Sequence, residues 1–171
     1  VELIEANDRN IQCYSRGQII SQLAKLKSST VGISGTHGKT TTTSMIGLIL
    51  KDSNLDPTII VGGVVKSINT NSVLGSGDTF VVEADEFNRT FLQLSPTIAV
   101  INNIDLEHID CYKDIEELKD AFIEFANSVP FMAWLVFVRI QKMLQLLYRS
   151  LISQLLLMAL SLMMSTLEQL T

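Results

Sequence analysis

The chain has 171 residues, 47% of them hydrophobic and 18% charged, with a formal net charge of −5. That length suffices for one full core, and the acidic balance leaves no basic footprint for nucleic acid. Cys13 and Cys111 lie far apart without metal-ligand spacing, so a disulfide framework is not suggested and a reducing cytoplasm is expected; no signal-peptide pattern argues otherwise. In chain order, residues 31–34 read as an apolar strand, 40–51 as a helix, 58–61, 79–83 and 97–102 as strands, and 115–127 as a helix. Such alternation predicts an α/β fold with a mostly parallel sheet. Pro57, the pair Gly62-Gly63, Gly75 and Gly77 punctuate the loops.

The first strand runs into Gly35, Thr36, His37, Gly38, Lys39, Thr40 and Thr41, a glycine-rich turn entering a helix. This reads as a phosphate-binding loop. The two glycines let backbone amides close on phosphate oxygens, Lys39 brings a point charge near the β and γ positions, and Thr40 offers a hydroxyl to Mg²⁺. The positive end of the helix adds to the site. Ile33 stands where the longer phosphate-loop pattern has a glycine, so this is the shorter G-x-x-G-K-T form. Against this stands a chance glycine turn between strand and helix, and His37 reads as shaping the turn rather than doing acid-base work.

Two later segments weigh against chance. Residues 80–86 form an apolar strand ending in Glu83, Asp85 and Glu86; residues 97–110 form another that breaks into Asn103, Asp105, Glu107, His108 and Asp110. Carboxylates at the end of a buried strand are costly unless paired, so a metal ion or a basic partner is expected. In a doubly wound sheet ligands sit at the carboxyl ends of strands, where all three polar clusters would converge. Asp85 and Glu86 are equally readable as solvated residues or as groups orienting Glu83. His108 also reads as a helix-terminal histidine with no ligand.

Together the GTHGKTTTT, EADE and NNIDLEHID segments resemble the central ATPase domain of the Mur ligases over roughly residues 1–131, and the spacing from Lys39 to Glu83 to His108 agrees. The resemblance implies a P-loop ATPase core and ATP with Mg²⁺ as cofactors. It gives Lys39 the phosphates and the transferring phosphoryl group, Thr40 and Glu83 a Mg²⁺ ion, and His108 a second metal ion with Asn103 beside it. The implied substrates are UDP-N-acetylmuramate and L-alanine, joined through an acyl phosphate; addition of a murein tripeptide is the enzyme alternative, and a non-catalytic nucleotide-binding remnant the other. Phe87-Asn88-Arg89 replaces the usual Ser-Asp or Tyr-Asp pair after EADE, and Glu107 replaces the usual Asp.

On this resemblance residues 1–27 are expected to be the last helix-strand-helix of a preceding UDP-sugar-binding domain, and 28–131 the N-terminal part of the ATP-binding domain. Residues 132–171 are expected to be an apolar helical or disordered tail outside any domain. After Pro130 only Arg139, Lys142, Arg149 and Glu168 are charged, and neither glycine nor proline occurs. Residues 150–167 carry no charge and are just long enough for a membrane span, but Ser150, Ser153, Gln154, Ser161, Ser165 and Thr166 weaken that reading. A frameshift fits better. Met132-Ala133-Trp134 implies ATG-GCN-TGG, and one T restored before it gives TAT-GGC-TTG when the alanine codon is GCT: the Tyr-Gly-Leu with which the family continues. The chain is accordingly expected to be a fragment inactive alone.

Overall fold

The computed structural model describes residues 2–66, 68–105, 111–130 and 134–137. Six strands form one sheet: β1 (Ser29–Ser34), β2 (Thr58–Val65), β3 (Thr70–Val73), β4 (Thr79–Glu83), β5 (Ile98–Ile101) and β6 (Trp134–Phe137). Their order is β3-β2-β4-β1-β5-β6, parallel except for β3, which runs antiparallel to β2 on the edge. β1, β4 and β5 are buried at nearly every consecutive residue because both faces of a parallel sheet are covered.

One face packs against α3 (Lys39–Asp52): Val31, Ile33, Val81 and Val100 meet Ile46 and Leu50. Gly47 lets this helix approach β2, since a Cβ there would lie 2.7 Å from the Ile59 Cδ1. The opposite face carries the larger core. There α4 (Ile115–Asn127) buries Leu118, Ala121, Phe122, Phe125 and Ala126 in one stripe, the i, i+3, i+4 spacing of an amphipathic helix. The Asp114 side chain caps it by accepting from Glu117 N–H at 2.9 Å, and Glu116 and Glu117 complement the helix dipole. Phe91, from the 3₁₀ helix Phe87–Gln93, packs edge-on to Phe122 with ring centroids 5.2 Å apart.

Ahead of β1 lie α1 (Glu2–Asp8), with no buried residue, and α2 (Arg16–Ala24), opened by a capping box between Ser15 and Gln18. Residues 11–15 between them are not a strand, which corrects the helix-strand-helix expectation. α2 sits on the 3₁₀ helix and adds Ala24 to the larger core.

Past residue 131, where the N-terminal part of the ATP-binding domain was expected to give way to a tail, the sheet continues. Trp134–Phe137 pairs in parallel with β5, from Ile98↔Trp134 to Ile101↔Phe137. Over these four residues the expected helical or disordered tail gives way to a strand. The physical reason is a β-prone run of Trp134, Leu135, Val136 and Phe137 that returns from α4 to the edge β5 leaves open. The uncharged stretch 150–167 lies outside the described residues, among which no helix is long and apolar enough to cross a membrane.

Candidate functional site

β1 lies between β4 and β5, and the chain leaves its carboxyl end in the crevice where the connections to either side diverge. Gly35 takes φ 129°, and a Cβ there would press to 3.0 Å on the Asn103 backbone. Only glycine suits that turn. Gly38, at φ 78°, is the N-cap of α3 and supplies no side-chain cap. The N–H groups of Lys39, Thr40 and Thr41, in the first turn of α3, have no intrahelical acceptor and are available to an anion.

The segment after β5 holds the loop in shape. Thr36 N–H donates to Asn103 O at 3.2 Å, Thr36 Oγ1 donates to Asp105 O at 3.1 Å, and Asp105 N–H donates back to Thr36 Oγ1 at 2.9 Å. The Asn103 side chain grips His37 on both sides, accepting from its N–H at 2.8 Å and donating to its carbonyl at 3.1 Å. Buried Asn102 also donates to the His37 carbonyl, at 3.2 Å, and bonds Thr42. Asn103 is therefore seen here as a brace of the loop. His108, expected beside it, lies outside the described residues, as do Glu107 and Asp110.

At the end of β4 the acidic residues separate into distinct environments. Glu83 Oε2 accepts from Thr40 Oγ1 at 3.0 Å and from Gly62 N–H at 2.7 Å. Gly62 leaves room for this carboxylate, because a Cβ would stand 2.9 Å from one oxygen and 3.0 Å from the other. Glu86 is 1% exposed, and both its oxygens accept from Lys39 Nζ at 2.9 Å. The third ammonium hydrogen of Lys39 goes to Gly35 O at 2.9 Å. Asp85 is half exposed and stands 3.8 Å from the same nitrogen. Behind Glu86, the buried Tyr112 hydroxyl donates to its backbone carbonyl at 2.6 Å, while the Arg89 guanidinium lies over the Tyr112 ring and pairs with Glu117. Burial pushes the Tyr112 phenol well above its ordinary pKa, against the opposing pull of Arg89.

The geometry brings Gly35, Thr36, His37, Gly38, Lys39, Thr40, Thr41, Glu83 and Asn103 to one crevice. Among the described residues no three His, Cys, Asp or Glu side chains form a metal cluster. Thr40 and Glu83 nevertheless fit a Mg²⁺ ion. Both are hard oxygen donors, and their 3.0 Å separation is close to the edge of an octahedron with metal–oxygen distances of about 2.1 Å. Sequence reasoning did not see the Lys39–Glu86 pair, the Gly62 contact or Asn102. The acidic run signalled a partner, but which carboxylate turns inward is a matter of backbone path after β4.

The sequence pattern that defines the Mur ligase middle domain matches residues 33–155. The chain belongs to the Mur ligase family. UDP-N-acetylmuramate–L-alanine ligase of Desulforapulum autotrophicum is 52% identical over 130 residues, which cover 76% of this chain and 28% of that relative. The chain thus spans under a third of the length of the curated Mur ligases it matches. Among solved structures, UDP-N-acetylmuramate:L-alanyl-gamma-D-glutamyl-meso-diaminopimelate ligase from Neisseria meningitides superposes with a TM-score of 0.76 at 26% identity, over 86% of this chain and 51% of its own. UDP-N-acetylmuramate-alanine ligase from Thermotoga maritima gives 0.74 at 26%, over 85% and 34%. The Mur ligase middle domain accordingly accounts for the six-stranded sheet described above.

Proposed function

We propose that the protein takes part in peptidoglycan precursor synthesis as an ATP- and Mg²⁺-dependent ligase joining L-alanine to UDP-N-acetylmuramate in the cytoplasm, and that the described residues supply the nucleotide side of that reaction. The observation that carries the reading is the crevice itself, where a glycine loop, an uncapped helix start and Lys39 face the Thr40–Glu83 pair. The substrate assignment rests on the 52% identity to the L-alanine ligase.

Electrostatics favour a metal-complexed nucleotide over a bare one. Lys39 is accompanied by Glu83, Asp85 and Glu86, so an uncomplexed triphosphate meets net negative charge. When bound, a divalent ion neutralises phosphate charge and draws electron density from the transferring phosphoryl group. Thr40 and Glu83 would hold it. The α3 amides and Lys39 bind and orient the phosphates, and the bonds from Asn102, Asn103 and Asp105 keep the loop shaped for them. Phosphoryl transfer to the lactyl carboxylate of the sugar nucleotide would give an acyl phosphate for the amine of L-alanine to attack, with positioning supplying most of the acceleration. His108 and its metal are carried over from the family pattern. The likeness to the Neisseria tripeptide-adding ligase, as good in shape as that to the alanine ligase, supports the murein tripeptide ligase as a second reading.

Calorimetry tests the nucleotide site. Lys39→Ala removes a charge-assisted contact for which about 1.5 to 3 kcal/mol is usual, so ATP binding in Mg²⁺ should weaken roughly ten- to a hundredfold. Equal affinity of variant and parent would refute the loop assignment.

A further inference from the structure

Every hydrogen of the Lys39 ammonium is already engaged, two by the Glu86 carboxylate and one by the Gly35 carbonyl. The lysine meant for the phosphates is therefore not waiting as a bare cation. Glu86 differs from its neighbours in that it cannot relax into solvent. It is 1% exposed and its backbone carbonyl is pinned by Tyr112. Asp85 is half exposed and only at salt-bridge distance, so water screens it.

We propose that Glu86 is the internal counter-ion of the phosphate site: it holds Lys39 in place before nucleotide arrives, and a phosphate oxygen binds by replacing one of its carboxylate oxygens on the ammonium. The proposal rests on the nucleotide reading above and adds a regulator of affinity to it. Glu86 is a positioning residue, acting on the nucleotide through Lys39. Its buried negative charge opposes each phosphate charge added near Lys39, so it lowers affinity for the nucleotide and keeps binding reversible. It also compensates a largely buried ammonium in the empty protein, where an unpaired charge is costly.

The test is calorimetric titration of the chain and its variants with ADP and ATP in Mg²⁺. Glu86→Gln keeps the shape and one acceptor oxygen but removes the charge, and should bind both nucleotides about tenfold more tightly, the usual difference between charge-assisted and neutral competition for one donor. Asp85→Asn removes an equal formal charge next door and should change affinity less than about twofold. Glu86→Gln with parental or weaker affinity, or an equal gain in both variants, would overturn the proposal. Failure of the parent to bind nucleotide at all would instead overturn the nucleotide reading, and this proposal with it. If Glu86→Gln does not fold, the parent carries the test. With glutamate carboxyls labelled with carbon-13, the Glu86 resonance should shift on saturation with Mg-ADP, and a resonance unmoved by bound nucleotide would overturn the exchange.

Discussion

Gly62→Ala places one methyl group against the carboxylate of Glu83, 2.9 and 3.0 Å from its two oxygens. Ordinary carbon–oxygen contact begins near 3.4 Å, so Glu83 must retreat by about half an ångström or turn away. Either movement strains the 2.7 Å bond from Gly62 N–H and the 3.0 Å approach of Thr40 Oγ1. Those contacts fix the direction of the carboxylate oxygen proposed to face Mg²⁺. Loss of such an orienting partner costs metal affinity roughly ten- to a hundredfold, or about 1.4 to 2.8 kcal/mol. β2 accommodates alanine otherwise, because Gly62 needs no positive φ. The assay is ADP binding by calorimetry across a Mg²⁺ series, with metal-free ADP binding as the control. The apparent Mg²⁺ requirement should rise at least about tenfold while metal-free binding changes little. An unchanged Mg²⁺ dependence in a folded variant would refute Glu83 as the ligand that Gly62 positions.

Tyr112→Phe deletes the hydroxyl that donates to the Glu86 carbonyl inside the core; stability should fall by about 1 to 2 kcal/mol in urea unfolding. In the parent, burial raises the Tyr112 phenol, so its ionisation at 295 nm should coincide with alkaline unfolding instead of preceding it. Asp56, bonded by Ser76 Oγ at 2.6 Å and Ser76 N–H at 2.8 Å, is held below the ordinary carboxylate pKa by those bonds. A depressed acid stabilises the fold above its unfolded pKa, near 4, and that stabilisation fades as pH falls through the lower folded value. Asp56→Asn should therefore be less stable than the parent at pH 7, and the gap should close as pH falls through the lowered folded pKa of Asp56; a gap that widens in acid would contradict the assignment.

Much of this architecture was legible because local pattern and tertiary role agree. Residues 115–127 show helical periodicity, an Asp cap and no interior breaker, and α4 spans those residues. The strands 79–83 and 31–34 are apolar on both faces and sit at the sheet centre. What escaped depends on partners remote in sequence. β3 is the polar run Thr70-Asn71-Ser72-Val73, which has little strand character of its own and is held by pairing with β2. The 3₁₀ helix Phe87–Gln93 begins at the acidic run, and Thr90 Oγ1 donates to Asp85 O at 2.9 Å, a return contact no periodicity reveals. At the site, the lysine and its loop could be read from spacing, whereas the choice of Glu86 over Asp85 as its partner required the path of the chain around Phe91.

The bonds that join Thr36 and His37 to Asn103 and Asp105 also set an order of events during synthesis. A ribosome that has released the chain as far as Asp52 has made the whole glycine loop and its helix, yet none of the strands that flank β1 and none of the groups that grip His37. Closing so long a stretch of chain precedes any reward from those contacts, which makes the crevice a late-forming element even though its glycine loop is translated before the strands that flank it. Nucleotide present in the cell would then act on nearly finished sheets, trapping chains in which β4 and β5 have already docked on either side of β1.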